Sequence, residues 1–129
     1  MSNDQPVVGL QADLSGGAAW GVVCLCAAWC GVCRQYAPEF QALQAAYPQV
    51  RFEWVDVEDQ EDLVGDVDVE TFPTLLIGCA DRAFFLGPLL PQIKVLERLL
   101  ASLMQGAPAS TALPADASPL WQRIAAQWQ

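Results

Sequence analysis

Two cysteines three positions apart, in the stretch AAWCGVCRQYAP at residues 27–38, are the residues of this chain best suited to chemistry. If the predicted helix begins at Cys30, the unpaired amides and the dipole at its N-terminus favour a thiolate there. Cys33 follows one turn later on the same face, so the two sulfur atoms can meet in a small-ring disulfide. Such a pair suits thiol–disulfide exchange, in which Cys30 attacks a disulfide and Cys33 resolves the mixed intermediate.

The residues beside Cys30 suit the approach of a second polypeptide. Trp29 offers a flat aromatic contact next to an exposed sulfur atom. Gly31 has no side chain, which removes bulk where another chain must come close. The surroundings of Cys30 therefore favour a site that meets a substrate over two thiols that merely share a helix.

A metal site is the first alternative for these sulfur atoms. Four cysteines lie within ten residues, the number of thiolates that a structural zinc or iron–sulfur site requires: Cys24, Cys26, Cys30 and Cys33. Their spacing, CxC on a strand followed by CxxC on a helix, differs from the paired CxxC motifs of zinc ribbons. The chain also contains no histidine, the commonest zinc ligand. We therefore expect a redox pair with no metal and no cofactor.

The charge of the chain limits its partners. Fifteen acidic residues stand against six basic ones, which gives a net charge of −9, and nine of the acids fall within residues 53–70. Most simply this stretch is a solvated acidic surface, and such a surface would attract basic partners and repel acidic ones. Nucleic acid is not expected as a partner, because phosphate binding needs clustered Lys and Arg.

Composition also bears on the compartment. The longest apolar stretch, residues 20–29, is too short to span a bilayer, so no membrane is expected as a partner. The first residues, MSNDQPVVGL, contain no basic region followed by an apolar segment, so we expect no signal peptide. Five cysteines, an odd number, do not suggest a secreted disulfide scaffold. We expect a cytoplasmic protein.

The elements that must position the cysteines belong to one α/β domain at residues 1–104. The run WGVVCLCA at residues 20–27 is apolar on both faces, as a central strand must be. Apolar residues then recur every three or four positions, at Tyr36, Phe40, Leu43 and Tyr47, which predicts a helix over 31–47, kinked at Pro38. The remaining predicted elements are strands at 7–11, 50–57, 72–77 and 83–86, a turn or short helix at 14–19, and helices at 59–64 and 91–104. This order predicts a mixed α/β sandwich with one central sheet.

A second region follows this domain. Residues 105–119 are rich in Ala, Pro and Ser and are predicted to be a linker. Residues 120–129 are predicted to form a short amphipathic helix, with Ser118 as N-cap and Pro119 at the first helical position. Its apolar side would carry Leu120, Trp121, Ile124 and Trp128. This side either docks back on its own domain or binds a second subunit or another protein.

Several spaced motifs together resemble the thioredoxin family. They are WCGVC at residues 29–33, the proline eight positions after the first cysteine, and TFPT at residues 71–74. In that family WCGPC opens a kinked helix, and a cis proline lies opposite it at the start of a strand. Gly87 resembles the family's glycine that lines the substrate groove. The resemblance covers roughly residues 7–104 and implies the thioredoxin fold, a central mixed β-sheet flanked by helices on both faces.

The resemblance also implies roles for individual residues. Cys30 would be the nucleophile and Cys33 the resolving thiol. Pro73 would follow a cis peptide bond, and the backbone of Phe72 would hydrogen-bond an extended substrate as an added strand. The implied substrate-binding residues are Trp29, Gly31, Val32, Phe72, Pro73 and Gly87.

The implied activity is that of a thiol–disulfide oxidoreductase that reduces protein disulfides. Its substrates would be protein or small-thiol disulfides, and its electron donor a thioredoxin-reductase-like enzyme or glutathione. The alternative is a thioredoxin-like module that binds or assembles a client, with slow or vestigial redox activity.

The chain departs from the family at a buried charge pair. Cys24 stands where the family has a buried aspartate that is thought to relay the proton of the resolving thiol, and Trp54 stands where its lysine partner would be. Replacing both charges can be nearly neutral for stability, whereas removing one would cost several kcal/mol. Without the relay we expect slower turnover at Cys33 and a steeper pH dependence. Val32 also replaces the proline between the two cysteines.

The remaining cysteines are a further departure. Cys26 takes a position that is usually aromatic in the family, and it points to the same side of its strand as Cys24. We expect both to be small buried hydrophobic residues. The alternative is a third thiol that reacts with Cys33 and gives a trapped or regulatory disulfide. Cys79, near a predicted turn, is expected to be more exposed and open to glutathionylation or to crosslinking of dimers.

Overall fold

Eight elements follow one another in the structure, a computed structural model that describes residues 20–65, 67, 69, 71–110 and 113–127. They are β1 (Trp20–Cys26), α1 (Gly31–Ala46), β2 (Arg51–Asp56), α2 (Glu61–Val64), β3 (Thr74–Cys79), β4 (Arg82–Pro88), α3 (Ile93–Met104) and α4 (Ala117–Ala126). The elements predicted at 7–11 and 14–19 lie outside the described residues. The others stand where the sequence predicts them, with ends shifted by a few residues.

The strands form one four-stranded sheet in the order β2-β1-β3-β4. β1 pairs with β2 in parallel and with β3 antiparallel, and β3 pairs antiparallel with β4. β1 is therefore internal, and its residues from Val22 to Cys26 are wholly buried. Helices cover both faces of the sheet, as the two clusters of buried side chains show. The predicted fold class, α/β with a mixed central sheet flanked by helices on both faces, is confirmed.

Alternation along β1 divides its side chains between the two faces of the sheet. Val22, Cys24 and Cys26 pack in a cluster with residues of α1 and α3. Val23 and Leu25 pack on the opposite face in a cluster with residues of α4. The side chains of Cys24 and Cys26 therefore lie on the face of the sheet that α1 covers, and α1 is the helix that carries Cys33.

α1 lies on that face through side chains spaced three or four positions apart. The buried ones are Cys33, Tyr36, Phe40 and Leu43. The ring of Phe40 meets those of Phe52 and Trp54 nearly edge-on, with centroids 5.3 and 5.7 Å away. Pro38 lies within the helix, as predicted. Aromatic packing against β2 thus fixes the helix whose first turn holds the cysteine pair.

The opposite face of the sheet is covered by α4. Trp121 is wholly buried there, and a Cβ atom added to Gly78 of β3 would lie 2.4 Å from its Cδ2 atom. The indole Nε1 of Trp121 donates to the Ala80 carbonyl at 3.0 Å. The Arg123 guanidinium donates to the carbonyls of Leu63 and Val64. The C-terminal helix thus packs on its own domain.

The segment before α4 contacts the domain, and the predicted N-cap of the helix is wrong. The Ser110 amide donates to the Phe84 carbonyl, and Leu113 packs against the α4 cluster. The N-cap of α4 is Asp116, while the Ser118 hydroxyl accepts a hydrogen bond from the Ala83 amide of β4. Ser118 therefore anchors the helix to the sheet and does not cap it. Trp128 lies outside the described residues.

Candidate active site

Cys30 occupies the N-cap of α1, four residues after the end of β1. Its amide donates to the Ala27 carbonyl at 3.0 Å, and its carbonyl accepts from the Arg34 amide at 3.1 Å. This tight turn connects the buried strand β1 to α1 within a few residues. The side chain of Cys30 is half-exposed, next to first-turn amides that have no partner within the helix. A sulfur atom here can reach a second molecule.

Cys33 is buried one turn later and is joined to Cys26 by a disulfide, with Cα atoms 5.9 Å apart. The bond follows from placement, because Cys26 ends β1 facing α1 and Cys33 starts α1 facing the sheet. Cys30 is a free thiol in this structure. The expectation that Cys26 is merely a small buried hydrophobic residue is therefore wrong, and its alternative, a third thiol that reacts with Cys33, is what the structure records. The Cys30–Cys33 pairing stays a prediction.

Cys24 lies in the core beside this disulfide. Its Sγ atom is 3.7 Å from that of Cys26, and its side chain is wholly buried. Burial raises the pKa of Cys24 well above its usual range, so it stays a neutral thiol. In the sheet register Cys24 stands directly opposite Trp54. The two positions of the family's charge pair are thus adjacent, and neither carries a charge.

A buried hydroxyl also lies in this cluster. The Tyr36 side chain is 1% exposed, and within the described residues its hydroxyl has no hydrogen-bond partner. Burial first, and then the neighbouring Cys24 and Glu39, raise the pKa of Tyr36 above its usual range. Sequence reasoning placed Tyr36 on the apolar stripe of α1 and missed its polar atom. A tyrosine at helical spacing gives no sign of whether its hydroxyl reaches water.

On the outer surface of the site two predicted residues, Trp29 and Phe72, are in contact. Trp29 is 62% exposed, and its ring meets that of Phe72 edge-on with centroids 5.8 Å apart. The peptide bond between Phe72 and Pro73 is cis, as the resemblance implies. Val32, 39% exposed, lies in the first turn of α1. Trp29, which precedes Cys30 in the chain, therefore contacts the cis-proline turn through Phe72, while Pro73 itself is buried.

Gly87 lies on β4 beside this turn, since it pairs in register with Leu75, two residues after Pro73. An open cleft of about 400 Å³ is lined by Gly87, Thr71 and Thr74, and by Pro114 and Asp116 of the C-terminal segment. The cysteines do not line it. The predicted substrate-binding glycine thus lines a cleft that it shares with the C-terminal segment and not with the cysteines.

A carboxylate fixes the loop before Cys30, and sequence reasoning missed it. Asp56 Oδ2 accepts from the Ala28 amide at 2.9 Å, and Oδ1 accepts from the amides of Glu58 and Asp59 at 2.9 and 3.1 Å. Glu58 in turn accepts from the Trp29 indole at 2.9 Å. The sequence signal is an aspartate at the carboxyl end of a strand parallel to β1, because such ends meet at one edge of the sheet.

A family model for thioredoxin matches residues 11–84, more than half of the chain. The chain belongs to the thioredoxin family. Thioredoxin from Ophiophagus hannah is 38% identical over 65 residues, which are 50% of this chain and 62% of that protein. Mitochondrial thioredoxin-3 from Saccharomyces cerevisiae is 38% identical over 52 residues, which are 40% of this chain and 41% of that protein. The matches thus span less than two thirds of these relatives.

Solved structures agree with this membership. The oxidized form of mitochondrial thioredoxin 3 from Saccharomyces cerevisiae superposes with a TM-score of 0.58 at 28% identity, over 64% of this chain and 77% of that one. Thioredoxin from Trypanosoma brucei brucei gives a TM-score of 0.61 at 20% identity, over 68% and 77%. The second likeness concerns the fold alone. Among the described residues of this thioredoxin-family chain, no helix combines the length and apolarity needed to cross a membrane.

The hydrogen bonds to Asp56 should make the stability of this thioredoxin-family domain depend on pH. The bonds, that from Asp59 most of all, lower the pKa of Asp56. A carboxyl whose pKa is lower in the folded state stabilises the fold fully above its unfolded pKa, near 4, and loses that contribution as the pH falls through the folded value. Asp56→Ala should therefore cost about 1 kcal/mol at neutral pH and progressively less below about pH 4. Urea unfolding at several pH values measures this difference.

The matched control is Asp59→Ala, which keeps the backbone amide that Asp56 uses and removes an exposed carboxylate. It should leave unfolding near that of the unchanged protein at neutral pH. An Asp56→Ala cost that stays constant from neutral to strongly acidic pH would contradict the assignment.

Proposed function

We propose that this protein is a thiol–disulfide oxidoreductase that reduces protein disulfides through Cys30 and Cys33. The observation that carries the proposal is the half-exposed Cys30 thiol at the N-cap of α1, next to Trp29, whose ring contacts Phe72 of the cis-proline turn. Cys33 lies one turn deeper, where it can resolve an intermediate formed on Cys30. Membership of the thioredoxin family supports this chemistry.

The reaction proceeds by two exchanges. The Cys30 thiolate attacks one sulfur of the substrate disulfide, and the electron pair of the broken bond leaves on the other substrate sulfur, which takes up a proton. The Cys33 thiol then loses its proton and attacks Cys30 Sγ, which releases the second substrate sulfur as a thiol. The protein is left with a Cys30–Cys33 disulfide, two electrons more oxidised. The cycle begins from a chain in which the Cys26–Cys33 disulfide is reduced.

The substrate would lie along the surface formed by Trp29, Gly31, Val32, Phe72, Pro73 and Gly87. An extended segment can pair with the backbone of Phe72 as an added strand. Pro73 has no amide hydrogen, so nothing at that position competes for the sulfur atoms. Gly31 and Val32, both exposed in the first turn of α1, would form the opposite side of the approach.

Reduction fits a cytoplasmic protein, where thiols are kept reduced. The electrons would come from a thioredoxin-reductase-like enzyme or from glutathione, and substrates would be protein or small-thiol disulfides. The acidic residues around α2, among them Glu61 and Asp62, favour clients with basic surfaces.

A trapping experiment tests the proposal. In Cys33→Ala protein the first exchange can occur and the second cannot, so clients should accumulate as mixed disulfides on Cys30 that dithiothreitol releases. The matched control, Cys30→Ser/Cys33→Ala, should accumulate none. Equal amounts of disulfide-linked client on the two variants would overturn the assignment of Cys30 as nucleophile.

A client-binding module is the second candidate function. It is favoured by the buried disulfide between Cys26 and Cys33, which takes the resolving thiol out of use in this structure. Such a module would bind its client equally with and without Cys30 and Cys33. Pull-down of a client under reducing conditions by Cys30→Ser/Cys33→Ala protein, with no trapped client on the Cys33→Ala variant, would favour it over the oxidoreductase.

A further inference from the structure

Cys33 has two potential disulfide partners on opposite sides. Cys30 precedes it by one helical turn at the exposed end of α1, and Cys26 faces it from the end of β1. The structure records the bond to Cys26, with a Cα separation of 5.9 Å that lies within the range of ordinary disulfides. No backbone rearrangement is therefore needed for that pairing.

The two pairings leave different thiols unpaired. Of Cys26, Cys30 and Cys33, a bond between Cys26 and Cys33 leaves Cys30 as the thiol, and Cys30 is half-exposed at the helix terminus. With Cys30 and Cys33 joined, the remaining thiol would be Cys26, whose position is 0% exposed within an apolar cluster. A thiol ionises and reacts more readily where solvent or a charge partner stabilises the thiolate. The Cys26–Cys33 disulfide thus lies in the core, while the sulfur atom of Cys30 remains at the surface.

We propose that Cys26 is a third redox residue of this site. It attacks Cys33 in a Cys30–Cys33 disulfide and releases Cys30. Cys30 is then a lone thiol that exchanges with small-molecule disulfides. The proposal rests on the function proposed above, since it needs Cys30 as the nucleophile. It adds a second activity, single-thiol exchange, that the oxidised protein performs without Cys33.

The conversion is balanced and needs no external oxidant. The Cys26 thiol loses its proton and attacks Cys33 Sγ, so that a Cys26–Cys33 bond forms while the Cys30–Cys33 bond breaks. The electron pair of the broken bond leaves on Cys30 Sγ, which takes up, through solvent, the proton that Cys26 has lost. One disulfide and one thiol are present before and after, and only their positions change. In the core the reacting sulfur atoms are held close together, which offsets the slow ionisation of a buried thiol.

The lone Cys30 thiol then reacts as a single cysteine. It attacks a disulfide such as glutathione disulfide, forms a mixed disulfide with one half and releases the other half as a thiol. Cys33 cannot resolve this product, because its sulfur is bonded to Cys26. A second molecule of the small thiol must attack the mixed disulfide to return Cys30 to the thiol form. The oxidised protein should therefore add and remove small thiols at one site.

Cys24 supplies a matched control for Cys26. Both lie on β1, both face α1, and both are wholly buried. Cys24 lies two residues before Cys26 on the strand, and it carries no disulfide in this structure. Cys24→Ala and Cys26→Ala therefore remove the same group from the same face, while only Cys26→Ala removes the partner of Cys33.

The test is disulfide mapping of protein that has been oxidised by one equivalent of a protein disulfide substrate and then alkylated under native conditions without reductant. In the unchanged protein and in Cys24→Ala we expect a linked Cys26–Cys33 peptide pair and an alkylated Cys30. In Cys26→Ala we expect a Cys30–Cys33 link and at least about fivefold less alkylation of Cys30. The same Cys26→Ala change should lower incorporation of glutathione from its disulfide into oxidised protein by a similar factor.

The outcome that overturns this inference is a Cys30–Cys33 link in every oxidised chain of the unchanged protein, with Cys26 alkylated only after unfolding. That result needs no variant, so a folding defect of Cys26→Ala would not obscure it. It would also leave the oxidoreductase proposal intact. A different result would contradict the oxidoreductase proposal: substrate disulfides would produce no bond to Cys30 or Cys33 in any variant.

Discussion

Cys30→Ser is expected to slow the reduction of a protein disulfide at least about a hundredfold, because a serine hydroxyl is not ionised at neutral pH and cannot form the mixed disulfide. Cys30 is the half-exposed sulfur at the N-cap of α1, whereas Cys33 is only 1% exposed and cannot meet a folded substrate first. The measurement is the rate of insulin disulfide reduction with dithiothreitol as electron source, compared between the variant and the unchanged protein.

Cys24→Ala is the control for this experiment. Cys24 is buried in the core and carries no disulfide, so its loss should change the rate by less than about twofold. A Cys30→Ser protein that keeps more than half of the unchanged rate would show that another thiol attacks the substrate. The assignment of the nucleophile would then be wrong.

Trp121→Ala should produce the largest loss of stability in the domain, about 3–5 kcal/mol. Trp121 is 1% exposed and lies against Gly78, where no side chain intervenes between helix and sheet. The change removes the contact that fills this face and the hydrogen bond to the Ala80 carbonyl, and it leaves a cavity under α4. Urea unfolding followed by circular dichroism measures the shift in midpoint.

The matched control is Trp29→Ala, the same change at a tryptophan that is 62% exposed. It should lower the free energy of unfolding by less than about 1 kcal/mol, since little apolar area leaves the core. It should lower activity instead, through loss of the substrate surface. Equal destabilisation by the two changes would show that α4 is not an integral layer of the domain.

Local patterns in the sequence were sufficient for the elements around the site. The apolar run of β1 and the helical spacing of Tyr36, Phe40 and Leu43 predicted a central strand followed by a helix packed on it, and the structure has both. The resemblance of the WCGVC and TFPT motifs to the thioredoxin family implied a helix that starts at the first cysteine and a cis bond before Pro73, and both are present. Each of these features depends on residues close together in the chain.

Features that depend on residues distant in the chain could not be obtained in this way. The hydrogen bond from the Ala28 amide to Asp56 requires the ends of β1 and β2 to be adjacent, which composition does not specify. The docking of α4 depends on Gly78 leaving space for Trp121. The Cys26–Cys33 bond depends on which face of β1 meets the first turn of α1. The sequence left two interpretations open for Cys26, and only the packing distinguishes them.

Site-resolved alkylation of the native, fully reduced protein tests the central claim most directly. The reductant is removed, iodoacetamide is added near neutral pH, and the label on each cysteine is followed in time by mass spectrometry. The half-exposed Cys30 should react at least about tenfold faster than the buried Cys24, Cys26 and Cys33. Labelling of Cys30 no faster than that of Cys24 would contradict the account, because the attacking sulfur would then be neither reachable nor activated.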